Sequence, residues 1–299
     1  GVEQRAMLTD KADQRPHTLV LTATPIPRSV AMTIFGDLEV STLAELPAGR
    51  AEVNTVVVDQ ANRPAWVERV WQRVREEAAA GRQAFVVCPR ISRLKPSDEP
   101  GVEEVAAELA AGPLEGLAVG VLHGQLSQEA KDAAMAGFAC GRIDVLVATT
   151  MVEVGVDIPN ASMMVVCQAD RFGISQLHQL RGRIGRGGFP GVCLLLTKAP
   201  PGDPARQRLD AVASTRDGFA LAELDLAQRR EGDVLGASQH GAHSTLRLLK
   251  VLEHADIIEQ ARALAQECVQ RDPDCATPGF ADAVRATQLL ASPDWLERT

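Results

Sequence analysis

Between Arg63 and Thr197 short apolar runs alternate with longer segments whose apolar residues recur at helical spacing. Few folds accept that order. It implies a parallel sheet with helices on both faces, because each strand needs a crossover long enough to return to the same end. The segment WVERVWQRVREEAAAG (66–81) predicts an amphipathic helix ended by Gly81, and QAFVVCP (83–89) a buried strand. A polar loop, RLKPSDEPG (93–101), leads to the predicted helix VEEVAAELA (102–110). Strand AVGVLHG (118–124), helix SQEAKDAAMAGFACG (127–141) and strands IDVLVAT (143–149), SMMVVCQ (162–168) and VCLLLTK (192–198) complete the pattern. In such sheets ligands gather at the C-terminal strand ends, so the loops after the strands are the expected place for chemistry.

Two further regions flank this one. Upstream, HTLVL (17–21) predicts a short strand that Pro25 and Pro27 stop, followed by a short helix over IPRSVAMTIFGDL (26–38) and a strand over AEVNTVVVD (51–59). Downstream, APPGDP (199–204) marks a domain boundary, and ARQRLDAVAS (205–214), LAELDLAQR (221–229) and a stretch from His243 to Gln270 predict helices. A chain of 299 residues with 45% hydrophobic and 23% charged residues has ample material for such a core. No run of about 18 uncharged apolar residues offers a membrane span. The beginning, GVEQRAMLTDK, lacks both a signal-peptide pattern and a starting Met. Six scattered cysteines without a C-x-x-C pair, most of them in apolar runs, read as reduced structural thiols of a cytoplasmic protein. A net charge of −8 argues against broad attraction to nucleic acid while allowing a local basic track.

One such track is QLHQLRGRIGRGG (176–188), in which Arg181, Arg183 and Arg186 sit among Gly182, Gly185, Gly187 and Gly188. Glycine lets the backbone approach a ligand closely. Arg183 and Arg186, three apart, are expected to share one face of a helical turn. Guanidinium forks match phosphate oxygens and stay charged, so against a γ-phosphate they would stabilise phosphoryl transfer. The alternative is a solvated turn with surface ion pairs. In VLVATTMVEVGVDIPNA (145–161) the hydroxyls of Thr149 and Thr150 stand at a strand end, where they can bond a phosphodiester. Asp157 can hold a ribose hydroxyl or orient a neighbouring arginine; the plainer reading is a strand-to-helix loop with a threonine cap. His123 in VLHGQLS (121–127) sits at another strand end, where a lone histidine is more often a structural hydrogen-bonder.

Taken together, T-A-T, T-T-x-x-x-x-G-x-D and Q-x-x-G-R-x-x-R resemble superfamily 2 helicases, in the order of their motifs III, V and VI. The stretches TATPIPRSVAMTIFGDL, FVVCPRI, DRFGISQLHQLRGRIGRG and DGFALAELDL resemble the RecG family of branched-DNA helicases and translocases, from residue 1 to roughly 245. The transcription-repair coupling factor family is the nearest rival. The resemblance implies a RecA-like parallel sheet with helices on both faces, followed by a C-terminal helical hairpin region. It divides the chain into a remainder of motor domain 1 (1–58), motor domain 2 (59–200) and a coupling hairpin with C-terminal helices (201–299).

By the same resemblance Thr22, Ala23 and Thr24 couple nucleotide state to DNA grip. Thr149 and Thr150, with His123, serve DNA contact or coupling. Gly155, Asp157, Gln179 and Gly182 serve the nucleotide, and Arg183 and Arg186 reach its phosphates catalytically. Arg208, Arg229 and Gln239 fall on the coupling hairpin, whose loop departs from the family pattern at RREGD (229–233) and QHG (239–241). The implied cofactors are ATP and Mg2+, held mainly by upstream residues. The implied partners are forked DNA, Holliday junctions and single-stranded-DNA-binding protein, with no membrane and a monomeric full-length enzyme. No metal ligands are expected in this chain. It contains no Gly-Lys pair, hence no G-x-x-x-x-G-K-[ST] phosphate loop, and no D-E-x-x motif after an apolar strand. In the family GVEQRA follows just after that acidic motif. The chain alone is therefore expected neither to hydrolyse ATP nor to unwind DNA. A non-catalytic nucleic-acid-binding module and a phosphate-binding metabolic enzyme are the other classes; the arginine pair speaks against the first, and the lack of a nucleophile, base or metal cluster against the second.

Overall fold

The computed structural model describes residues 51–92, 99–153, 157–228 and 254–290, together with Leu19, Ser41 and Leu43. Residues 41–234 belong to one compact unit and residues 235–299 to another. The predicted strand at 17–21 and helix at 26–38 fall outside the described residues apart from Leu19.

In the first unit six strands form one parallel sheet: β1 (Val53–Asp59), β2 (Gln83–Val87), β3 (Val119–Leu122), β4 (Val145–Ala148), β5 (Ala161–Val166) and β6 (Gly191–Thr197). Their order across the sheet is β1-β6-β5-β2-β4-β3. The helices are α1 (Pro64–Ala79), α2 (Val102–Ala111), α3 (Gln128–Ala139), α4 (Ile174–Arg181), α5 (Pro204–Ser214) and α6 (Gly218–Gln228). Alternate strand residues feed two cores, as the period of two requires. Ala84, Val86, Val145, Val147, Met163 and Val165 meet α1 and α2 through Val70, Val74, Val105 and Leu109. Phe85, Val87, Leu146, Ala148, Met164 and Val166 meet α3 to α6 through Phe138, Leu177, Leu180, Leu209 and Leu221. Both faces are thus covered, and β2, β4 and β5 are buried along their whole length.

Two of the expected divisions fall within packed structure. The division after residue 58 cuts through β1, yet β1 pairs from Val53↔Gly191 to Asp59↔Thr197 with β6 and so belongs to the sheet. The division at 200 separates α5 and α6 from the sheet, but Leu209, Val212 and Leu221 are fully buried in the core beneath it. The second unit contributes α7 (Ala255–Arg271) and α8 (Phe280–Leu290). Of the long helix expected from His243, residues 243–253 lie outside the described residues.

Candidate nucleotide and nucleic-acid sites

The arginine-rich stretch begins inside a helix and leaves it. α4 opens at Gly173, whose N–H donates to the Gln176 carboxamide oxygen at 3.1 Å, and its apolar residues Ile174, Leu177 and Leu180 are buried. It ends at Arg181, with the Gly182 N–H donating to His178 O at 3.0 Å. Arg183 and Arg186 therefore do not share a helical face. They occupy a turn, because Ile184 is drawn fully into the core and Gly185 takes φ +72°. The Gly185 N–H donates to Ala161 O and its carbonyl accepts from the Ala51 N–H, both at 3.2 Å. A Cβ at Gly187 would stand 2.1 Å from Pro159 O, so only glycine fits this approach.

The three arginines differ in kind. Arg181 is 5% exposed. Its guanidinium donates to Val212 O and Thr215 O, each at 2.8 Å, and to His178 Nδ1 at 3.0 Å, which sews α4 to the end of α5. Arg186 is the outward one: its Nε donates to Gly182 O at 3.0 Å and its Nη1 to Asp157 Oδ1 at 3.1 Å, with the side chain 34% exposed. Asp157 thus orients Arg186. Arg183 and Gln179 are both half-buried beside this turn.

These residues lie at the N-terminal ends of β5, β6 and β1, not at the C-terminal ends where chemistry was expected. The physical reason is that α4 runs antiparallel to the strands and delivers the turn to the opposite end of the sheet. Thr149, Thr150 and His123 do occupy the C-terminal ends. Thr149 continues β4 and its N–H donates to Leu122 O at 3.2 Å; Thr150 opens a short 3-10 turn, Thr150–Glu153. Gln83 is level with Ala161 and Val87 with Ala148, so the two sets stand roughly 15 Å apart along the strands at about 3.3 Å per residue.

His123 is only 3% exposed. Its Nε2 faces Glu103 Oε1 at 3.4 Å and its Nδ1 has no hydrogen-bond partner. The imidazole is buried just past β3, against Glu103 of α2. Arg208 on α5 is half-buried and donates to Asp170 O at 3.2 Å, a tie between α5 and the loop after β5. Thr22, Ala23, Thr24, Gly155, Arg229 and Gln239 lie outside the described residues. Among the described residues no group of three or more His, Cys, Asp or Glu side chains stands ready to hold a metal ion.

A buried cluster beside the arginine turn was not anticipated. Glu77 on α1, 3% exposed, pairs with Arg73 at 2.6 Å and with Arg82, and accepts from the Ser162 hydroxyl. Burial pushes the Glu77 carboxyl up. Hydrogen bonds from Arg82 and Ser162 and the charges of Arg73 and Arg82 outweigh it and hold the group below its ordinary 4.5. The spacing of Arg73 and Glu77, four apart on a helix, was the available signal. Arg82 in turn lies over the Phe189 ring, 5.7 Å from its centroid.

The profile of the helicase conserved C-terminal domain matches residues 67–188, and that of "ATP-dependent DNA helicase RecG, domain 3, C-terminal" matches 215–290. The likeness therefore continues through much of the last fifty residues, beyond the limit near 245 read from motifs. The ATP-dependent DNA helicase RecG of Mycobacterium bovis is 55% identical over 299 aligned positions, covering 97% of this chain and 41% of that protein. The RecG of Acidithiobacillus ferridurans is 43% identical over 274 positions, covering 92% of this chain and 39% of that protein. The chain thus spans about two fifths of the length of these curated relatives. A solved structure of RecG bound to a three-way DNA junction superposes with a TM-score of 0.63 at 41% identity, covering 82% of this chain and 31% of that one. Ordered motifs, a parallel sheet sheathed on both faces, and a domain specific to one helicase family converge on one assignment: the chain belongs to the RecG family of superfamily 2 DNA helicases, as its C-terminal helicase region.

Proposed function

We propose that this chain forms the C-terminal part of an ATP-dependent DNA motor that remodels branched DNA, including stalled forks and Holliday junctions. The observation that carries the reading is the Arg186–Asp157 pair on a glycine turn with no room for a Cβ at Gly187. A guanidinium fixed at one terminal nitrogen and a third exposed is organised to meet a phosphate without searching for its geometry. Arg183 and Arg186 are the proposed catalytic groups; they stabilise charge on the transferring phosphoryl of an ATP held mainly by residues other than these. Gln179, Gly182 and Asp157 are proposed to serve the same nucleotide, and Gly155, outside the described residues, is assigned to it on the family resemblance. Magnesium accompanies the triphosphate, and no described residue is assigned to it.

DNA is assigned to the other end of the sheet. Thr149 and Thr150 present hydroxyls at a strand terminus to the phosphodiester backbone, and His123 positions the adjoining loop. Thr22, Ala23, Thr24, Arg208, Arg229 and Gln239 are assigned to coupling on the family resemblance. The proposed division is a remainder of motor domain 1 (1–58), motor domain 2 (59–200) and coupling helices (201–299), with β1 paired into the sheet of motor domain 2 and α5 and α6 packed against it. Monomeric action, cytoplasmic location and contact with single-stranded-DNA-binding protein rest on the resemblance alone. Among the described residues no helix is long and apolar enough to cross a membrane.

The test is ATP hydrolysis by this chain with and without forked DNA. No turnover is expected, because the sequence holds no Gly-Lys phosphate loop. DNA-stimulated turnover would defeat the reading. In a longer relative, replacing the arginines that match Arg183 and Arg186 should lower turnover by about 10³–10⁵-fold.

A further inference from the structure

The low aromatic content, 3%, promises little base stacking, yet one ring stands where it matters. Phe189 is 48% exposed and lies three residues beyond Arg186. One side of the ring is covered by the Arg82 guanidinium, 5.7 Å from the centroid. Arg82 is itself held through Nε by the carboxylate of Glu77, which Arg73 and the Ser162 hydroxyl also grip. The backbone beneath is equally constrained: Gly187 lies against Pro159, and Asn160 donates to Gly81 O at 2.7 Å. An isolated exposed Phe is ordinary. A ring with a pinned cation on one side and about half of its surface open to water is a preformed stacking surface, whose ordering cost is met in folding rather than in binding.

Three residues of extended chain span no more than about 10 Å. The turn carrying Arg186 and the ring therefore stand no farther apart than the length of one molecule whose anionic and flat aromatic ends are joined by a sugar, Arg186 bonding toward the end of α4 and the ring lying against Arg82 beyond α1. We infer that Phe189, backed by Arg82, is a base-stacking platform for the purine of the nucleoside triphosphate whose phosphates meet Arg183 and Arg186. The inference rests on the phosphate role proposed for those arginines. Arg82 is a positioning residue that fixes the plane of the ring. The contact favours aromatic bases as a class and does not read their edges, so it tells nucleotide from bare polyphosphate.

The experiment is a titration of the 299-residue chain with ATP and, separately, with inorganic tripolyphosphate, read by NMR shifts of the protein and by saturation transfer to the adenine H2 and H8 protons. Wild-type protein should bind ATP more tightly than tripolyphosphate and transfer saturation to adenine more strongly than to ribose. Phe189→Leu should weaken ATP about five- to tenfold, the lower range for one stacked base, and leave tripolyphosphate unchanged. Phe189→Trp should restore ATP binding. If Phe189→Leu binds ATP as wild type does, or weakens ATP and tripolyphosphate alike, the platform is refuted. So it is if wild-type protein at millimolar ATP transfers nothing to adenine. The double variant Arg183→Ala/Arg186→Ala judges the underlying reading separately: unchanged tripolyphosphate affinity there removes the phosphate role, whatever the adenine signals do.

Discussion

Replacing Arg181 by Met separates two jobs that neighbouring arginines of one motif perform. The Arg181 side chain is 5% exposed and donates to two main-chain carbonyls, Val212 O and Thr215 O, at 2.8 Å. Methionine keeps the apolar stem but offers no donor, so both carbonyls lose this partner in the interior. A hydrogen bond from a charged donor contributes about 1.5–3 kcal/mol, and an orphaned buried acceptor costs about 1–3 kcal/mol. Release of the guanidinium from its desolvation offsets part of this. The net expectation is about 2–4 kcal/mol of lost stability.

Urea unfolding followed by the fluorescence of Trp66 and Trp71, both on α1 of the same unit, reads the change. At an m-value of about 2–3 kcal/mol/M the midpoint falls by roughly 1 M. Arg186→Met is the contrast. Its ion pair with Asp157 is solvent-exposed, with the Asp157 side chain 61% accessible, and contributes no more than about 1 kcal/mol. Its midpoint moves by less than about 0.5 M while tripolyphosphate binding is lost. Equal midpoint shifts for the two variants, or a midpoint for Arg181→Met within about 0.2 M of wild type, would refute the division of labour.

Gly187→Ala must displace the backbone at Pro159 and should weaken tripolyphosphate at least tenfold, whereas Gly124→Ala, whose Cβ meets only Met151 Sδ at 3.7 Å, should leave both stability and binding unchanged by calorimetry. Glu77 has a folded-state pKa below its ordinary 4.5, so its contribution is present above that value and is lost as pH falls through the depressed one. Thermal melts should accordingly lose stability as pH falls below 4.5 in wild type and change less in Glu77→Gln. Hydrogen bonds from the Arg142 N–H and guanidinium pull the exposed Cys140 thiol down, while burial pushes Cys193 up to about 12; iodoacetamide mass mapping at pH 7 should find Cys140 modified before Cys268, and Cys193 only after unfolding. Because α4 packs against the Thr150–Glu153 turn, tripolyphosphate at the arginines should slow amide exchange at those residues; unchanged exchange there would separate the two ends.

The sheet was legible because buried parallel strands write themselves as unbroken apolar runs. QAFVV and VLVA are buried at every position, and each run that predicted a strand from residue 51 onward became one. The membership of β1 was not legible, since its partner β6 lies more than 130 residues later and pairing leaves no trace in local pattern. The helical reading of Arg183 and Arg186 failed for a tertiary reason: Ile184 is claimed by the core and Gly185 by the Ala161 carbonyl, so the chain turns where spacing alone allowed the helix to continue. Arg181 and Arg183 are alike in sequence, two residues apart on either side of a glycine, yet Arg181 turns inward to the carbonyls of α5.

Placement of the motifs at opposite ends of one sheet follows from the crossover itself. A parallel strand, once finished, must be followed by an element that returns to the starting end, and α4 is that element after β5. Its first turn packs near the threonine-bearing end and its last residue is Arg181, five residues before Arg186. Ile174, Leu177 and Leu180 are buried in the same core as Val152 of the Thr150–Glu153 turn. Close-packed interiors have little room for a continuous deformation and pass displacement on as rigid shifts. A helix of eight residues, about 12 Å long, is thus one packed connection between the proposed phosphate-binding arginines and the proposed DNA-binding threonines.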